Sequence, residues 1–124
     1  MSATRRVLVI DDHEHVRTLL RIWLEEDARF DWAGEAADAV SGLRLVAEEQ
    51  PEAVILDVHL PDGDGLSTLA ELRRQHDGLQ VVVYTNDDTV LDRALELGAD
   101  AVFVKGHAVR DVMDALADTA GTDR

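Results

Sequence analysis

Cysteine is missing from all 124 residues, which rules out disulfides, thiol nucleophiles and thiolate metal sites and agrees with a reducing compartment. No apolar run approaches the ~20 residues needed to cross a bilayer, and the lead-in Met1–Arg6 lacks the apolar centre of a secretory signal. Both absences point to the cytoplasm. Basic residues are scarce, with 12 Lys and Arg against 26 Asp and Glu and a net charge of −14. That balance argues against binding a nucleic-acid phosphate backbone and favours basic or metal-bearing partners. Repeats of solenoid period, low-complexity tracts and internal linkers are also missing.

What is present fits one domain spanning residues 1–124, with a core over about 5–120 and residues 121–124 as a tail or the start of a linker. At 46% apolar content, such a chain can bury a two-layer or three-layer core. Strand and helix patterns alternate. Val7-Leu8-Val9-Ile10 is a β-branched run closed by Asp11-Asp12. Val16, Leu19, Leu20, Trp23 and Leu24 then recur at helical spacing. Phe30–Gly34 forms a weaker strand, and Asp38 is placed to cap a helix whose inner face is Ala39, Val40, Leu43, Val46 and Ala47, stopped before Pro51.

Ala53-Val54-Ile55-Leu56 is an apolar strand that ends abruptly in Asp57, followed by the turn residues Pro61, Asp62, Gly63, Asp64 and Gly65. Leu66, Leu69, Ala70 and Leu72 mark a third helix closing near Gly78. Val81–Tyr84 runs to Thr85, and Asp87-Asp88 opens a helix with Leu91, Ala94 and Leu95 facing inward and Gly98 as a left-handed stop. Ala101–Val104 ends at Lys105, and Val109, Val112, Met113, Leu116, Ala117 and Ala120 give the last amphipathic helix. The two tryptophans fit packing better than a cofactor box. Five such units make an α/β domain, a doubly wound five-stranded parallel sheet with right-handed crossovers.

The strand ends carry the chemistry. Asp11-Asp12, Asp57, Thr85 and Lys105 close four of the five strands, and in such a sheet these ends share one edge. Three converging carboxylates repel one another, and a hard divalent cation, Mg2+ or Mn2+, relieves them. A carboxylate beside that cation, with a Lys and a Thr nearby, has the parts to accept a phosphoryl group: Asp57 attacks, Lys105 and the metal neutralise the oxygens, and Thr85 donates a hydrogen bond. His13 and His15 beside the acidic pair raise a zinc site, but residues two apart point to different faces, so one pocket does not collect both.

On the residues Val7–Asp12, Asp57 with Leu60–Gly65, Val83-Tyr84-Thr85 and Gly98-Ala99-Asp100 to Lys105, the chain resembles the receiver domains of two-component response regulators. The resemblance implies the flavodoxin-like strand order 2-1-3-4-5 and phosphorylation of Asp57 by a sensor histidine kinase or phosphotransfer protein. It implies metal ligands at Asp11, Asp12, Asp57 and the backbone carbonyl of His59, with Asp12 the more direct of the acidic pair. Thr85 matches the switch hydroxyl and Lys105 the phosphate-pairing lysine. Further partners it implies are an output domain after Arg124 or a separate target, and a homodimer through the last two helices.

Some positions depart from the family pattern. Val102 stands where the switch aromatic is usual, and strand alternation sends Phe103 to the opposite face, into the core, so output falls to another element. Asn86 replaces a small residue, and Gly106 replaces a common Pro, leaving the Lys105–Gly106 bond trans or cis. His59 and Asp87 occupy the positions that shape water's path to the acyl phosphate, or are plain loop residues. Two other readings are a pseudo-receiver that binds without phosphorylation and a haloacid-dehalogenase-type phosphatase. The latter normally carries a second Asp where His59 stands.

Overall fold

Each short apolar run becomes a strand of one parallel sheet because both of its faces are covered, which suits runs without polar alternation. The computed structural model describes residues 4–106 and 108–118. Its strands are β1 (Arg5–Ile10), β2 (Phe30–Ala36), β3 (Ala53–Leu56), β4 (Gln80–Thr85) and β5 (Ala101–Val104). Their order is β2-β1-β3-β4-β5, as the resemblance implied, with every pair parallel. The helices are α1 (Glu14–Glu26), α2 (Ala39–Glu49), α3 (Gly65–Gln75), α4 (Leu91–Glu96) and α5 (Val109–Ala117). A single 3-10 turn, Asp88–Val90, precedes α4, and a small antiparallel hairpin pairs His59–Leu60 with Gly63–Asp64.

Alternation along the strands divides the core in two. Leu8, Ile10, Val54, Leu56, Val81 and Val83 face α2, α3 and α4. Val7, Val9, Ala53, Ile55, Val82 and Tyr84 face α1 and α5. The edge strand β5 is half-buried; Val102 packs on the first side and Phe103 on the second, as alternation requires.

Several side chains placed inward by spacing lie outside. Leu19, Trp23, Val40 and Leu95 are exposed, as are Ala47 and Ala70. The buried stripe of α1 is narrower, Val16, Leu20 and Leu24. That of α2 is Ala39, Gly42 and Val46, because the helix lies so close to the sheet that a Cβ on Gly42 would stand 2.6 Å from Ile10 Cδ1. β2 runs to Ala36, past a register shift and Gly34 at φ +140°.

Carboxylates start α2 and α3. Asp38 accepts from the Ser41 N–H at 2.7 Å, and Asp64 from the Leu66 N–H at 2.9 Å. Asp62 reaches from the hairpin to the Ala39 and Val40 amides at 2.8 and 3.0 Å, and these bonds hold its carboxyl below the usual range. Gly98, at φ +108°, ends α4 as anticipated, and the helix stops before Pro51 through Gln50 at φ 48°. α3 ends at Gln75, short of Gly78. Ala120 and the tail 121–124 lie outside the described residues. Among those described, all peptide bonds are trans, including Lys105–Gly106, and no helix is long and apolar enough to cross a membrane.

Candidate functional site

Beyond the last paired residues, the sheet's backbone ladder continues by one more bond after β1, β3 and β5. The Asp57 N–H donates to the Ile10 carbonyl at 2.9 Å, the Asp11 N–H to that of Ala36 at 3.0 Å, and the Lys105 N–H to that of Thr85 at 2.7 Å. The three residues are therefore fixed by backbone before their side chains do anything. Counting on from Val9, Ile55 and Phe103, all three project on the α1–α5 side of the sheet.

Their charged groups meet. Lys105 Nζ donates to Asp57 Oδ2 at 2.8 Å and forms an ion pair with Asp11 Oδ2, also at 2.8 Å. All three side chains are at least nine-tenths buried. Burial alone would push the Lys105 ammonium down, but its bonds to Asp11 and Asp57 and their charges outweigh that and raise it above its ordinary value. The other Asp57 oxygen accepts the His59 N–H at 3.1 Å. Arg17 donates to the Asp11 carbonyl at 2.8 Å while pairing with Glu35 at 2.6 Å, which braces the turn after β1.

The remaining residues singled out by the sequence divide. Asp12 is half-exposed at the rim, its Oδ1 3.2 Å from His13 Nδ1. Thr85 is fully buried, and its hydroxyl accepts the Asp87 N–H at 3.3 Å; among the described residues it makes no hydrogen bond to the carboxylates. The His59 side chain turns outward, where Nε2 meets Asp87 Oδ2 at 2.7 Å. Asp87 also caps the 3-10 turn through the Thr89 amide and hydroxyl. The Thr89 and His59 contacts bring the Asp87 carboxyl down to about 2.

His13 is the inward residue that spacing did not find. Its Nδ1 lies 3.0 Å from Asp11 Oδ1, 3.8 Å from Asp57 Oδ2 and 3.1 Å from Lys105 Nζ. Only the proximity of His13 to the acidic pair signalled it. His15 stacks edge-on against the His13 ring at 5.7 Å and lines the same groove, contrary to the expectation from helical offset, because His13 precedes the first helical residue; it adds no donor to the cluster. One donor atom from each of Asp11, Asp12, His13 and Asp57 falls within 4.8 Å of all the others. A groove lined by His13, His15, Tyr84, Asn86, Lys105 and Val109 opens this cluster to solvent.

The sequence profile of the response regulator receiver domain matches residues 7–117. Chemotaxis protein CheY of Halobacterium salinarum is 32% identical over 116 residues, covering 92% of this chain and 95% of that protein. The transcriptional regulatory protein LiaR of Bacillus subtilis is 32% identical over 113 residues, 90% of this chain but 54% of LiaR, so the chain spans about half of that relative. The receiver domain of the response regulator NarL from Mycobacterium tuberculosis superposes with a TM-score of 0.87 at 25% identity, covering 97% of this chain and 98% of that one. With its strand order, its strand-end acids and a profile match over nearly its whole length, the chain belongs to the response regulator receiver domain family.

Proposed function

We propose that this receiver domain is a signalling switch set by phosphorylation of Asp57, with no other substrate. The observation that carries the reading is the buried Lys105 ammonium clamped between Asp57 and Asp11 at the open edge of the sheet. In the forward step an Asp57 oxygen bonds to phosphorus as the phosphorus–nitrogen bond of a donor phosphohistidine breaks, and the freed imidazole keeps the electron pair and takes a proton. Lys105 lies within reach of the phosphoryl oxygens and offsets their charge without first being reorganised. Thr85 already accepts a hydrogen bond from Asp87, so its own proton is free to be donated to a phosphoryl oxygen. Hydrolysis by water returns the carboxylate and inorganic phosphate.

The residues present fit a divalent cation. The carboxylates of Asp11, Asp12 and Asp57 converge, with only the Lys105 ammonium paired to Asp11 and Asp57 against them. Asp11, Asp12, Asp57 and the His59 carbonyl would hold Mg2+, with Mn2+ as a substitute, and the ion would add positive charge against the transferring group. Around it, the chain's own work is orientation: the His59 amide and Lys105 each fix one Asp57 oxygen.

The partners that follow are a sensor histidine kinase or phosphotransfer protein and an output unit, either beyond Arg124 or separate. The domain itself, with a net charge of −14, does not bind DNA directly, and it acts in the cytoplasm. The test is labelling with radioactive acetyl phosphate or phosphoramidate in Mg2+. One acid-labile, base-labile phosphoryl group on the wild type and none on Asp57→Asn is the expected result. Absence of label on the wild type, or equal label on the variant, overturns it.

A further inference from the structure

The phosphoryl chemistry above has no use for an imidazole, yet the ring of His13 stands among its acids. One nitrogen, Nδ1, lies 3.0 Å from Asp11 Oδ1, 3.2 Å from Asp12 Oδ1 and 3.1 Å from the Lys105 ammonium. It cannot serve all three: bearing a hydrogen it faces the ammonium, and bare it faces two anions. Placing a cation on the bare nitrogen, between it and the carboxylates, turns both anion contacts from repulsive to favourable. Asp11 Oδ2 is buried against the same Lys105 ammonium at 2.8 Å, so a single positive charge is shared among Asp11, Asp57 and the imidazole.

The spacing suits such an ion. Ligands about 2.1 Å from a six-coordinate metal stand about 3.0 Å apart when adjacent and about 4.2 Å apart when opposite. The separations of His13 Nδ1 from Asp11, Asp12 and Asp57 are 3.0, 3.2 and 3.8 Å, and all four donor atoms fall within 4.8 Å. An imidazole donor changes which ion is favoured. Carboxylates and water suit Mg2+ and Mn2+, whereas a nitrogen ligand raises affinity for the later first-row ions.

We infer that His13 joins Asp11, Asp12 and Asp57 in a mixed nitrogen and oxygen site selective for late first-row divalent ions, Ni2+, Co2+ or Zn2+, over Mg2+. The inference deepens the proposed function and rests on it only for the place of the cation. His13 supplies no side-chain cap to α1 and its side chain is half-exposed, so its replacement leaves the fold intact.

The untagged full chain is titrated calorimetrically with NiCl2 and, separately, with MgCl2, as wild type, His13→Ala and His15→Ala. Pulsed EPR of the Mn2+-loaded protein reads nitrogen coupling to the metal. The expected result is a nickel-to-magnesium affinity ratio about tenfold or more lower in His13→Ala, preserved in His15→Ala, with a nitrogen coupling in wild type that His13→Ala loses. An unchanged ratio in His13→Ala, or a coupling that survives in it, overturns the inference. Acetyl phosphate labelling in Mg2+ separates this from the parent reading. Label on Asp57 with an unchanged ratio sinks the His13 site alone, whereas a His13-dependent ratio without label keeps that site and removes the phosphorylation switch.

Discussion

Asp87 connects three things at the rim: its amide holds the Thr85 hydroxyl, one carboxylate oxygen caps the turn before α4, and the other meets His59 on the hairpin after Asp57. Thr89 first and His59 second lower its carboxyl to about 2 from an ordinary 3.8. A depressed carboxylate stabilises the fold fully above its unfolded value and loses that effect as pH falls through its folded one. The Asp87 contacts are therefore intact at pH 5 and released between pH 3.8 and about 2. Carbon-13 NMR of the Asp87 carboxyl should show a midpoint near 2, moving upward in His59→Ala. Because the pair ties the loop after Asp57 to the loop after Thr85, Asp87→Ala should hydrolyse the acyl phosphate about fivefold faster, roughly 1 kcal/mol of barrier, read from loss of label with time. Lys105 works with the opposite sign. Its raised value means its stabilisation is complete below 10.5 and is lost only at more alkaline pH. Lys105→Met leaves Asp11 and Asp57 buried without a counter-charge and should cost about 3 kcal/mol in EDTA by urea denaturation. At this scale the strand-end residues were legible, since an apolar run that stops at Asp or Lys declares where its side chain emerges. The His59–Asp87 contact joins residues 28 apart, and His13 precedes the first helical residue, where neither strand nor helix periodicity governs direction.

The hairpin after β3 is tied to its neighbours at both ends, by Asp62 to the start of α2 and by Gly65 to the start of α3. At Gly65 the amide donates to the Val58 carbonyl at 2.7 Å, and an added Cβ would stand 2.1 Å from Val58 Cα and 2.3 Å from its oxygen. Backbone cannot step aside as a side-chain tip can. Gly65→Ala should lose about 2–3 kcal/mol in urea midpoint analysis. Gly78→Ala, with nothing within 4 Å, should stay within about 0.5 kcal/mol. An equal effect of the two would show that α3 is free to move off the hairpin. The same closeness explains what the helices hid from the sequence. β1, β3 and β4 are buried on both faces and announce themselves as uninterrupted apolar runs. A helix touching the sheet needs only a narrow stripe, and on α2 that stripe includes Gly42, which hydrophobic spacing does not count; Val40 then looked like a core residue and is 68% exposed.

Across the whole molecule, 26 acidic residues repel one another, and three of them, Asp11, Asp12 and Asp57, are held at one edge of the sheet beside a single buried ammonium. Two effects of Mg2+ can then be separated. Diffuse screening relaxes surface repulsion and depends on ionic strength alone, whereas occupation of the acidic edge stabilises only the folded chain, whose acids are brought together from positions 11, 12 and 57. A concentration one hundred times the dissociation constant adds about 2.7 kcal/mol, a rise in melting temperature of roughly 8 °C for a chain of this size. NaCl at matched ionic strength should reproduce only the screening part. Asp57→Asn should melt higher than wild type in EDTA, because one repelling charge is gone, and should gain less from Mg2+. Calorimetric melting of both chains in EDTA, NaCl and MgCl2 decides the matter: if Mg2+ and matched NaCl raise wild type equally, the ion is screening the surface and the acids at the edge do not gather it.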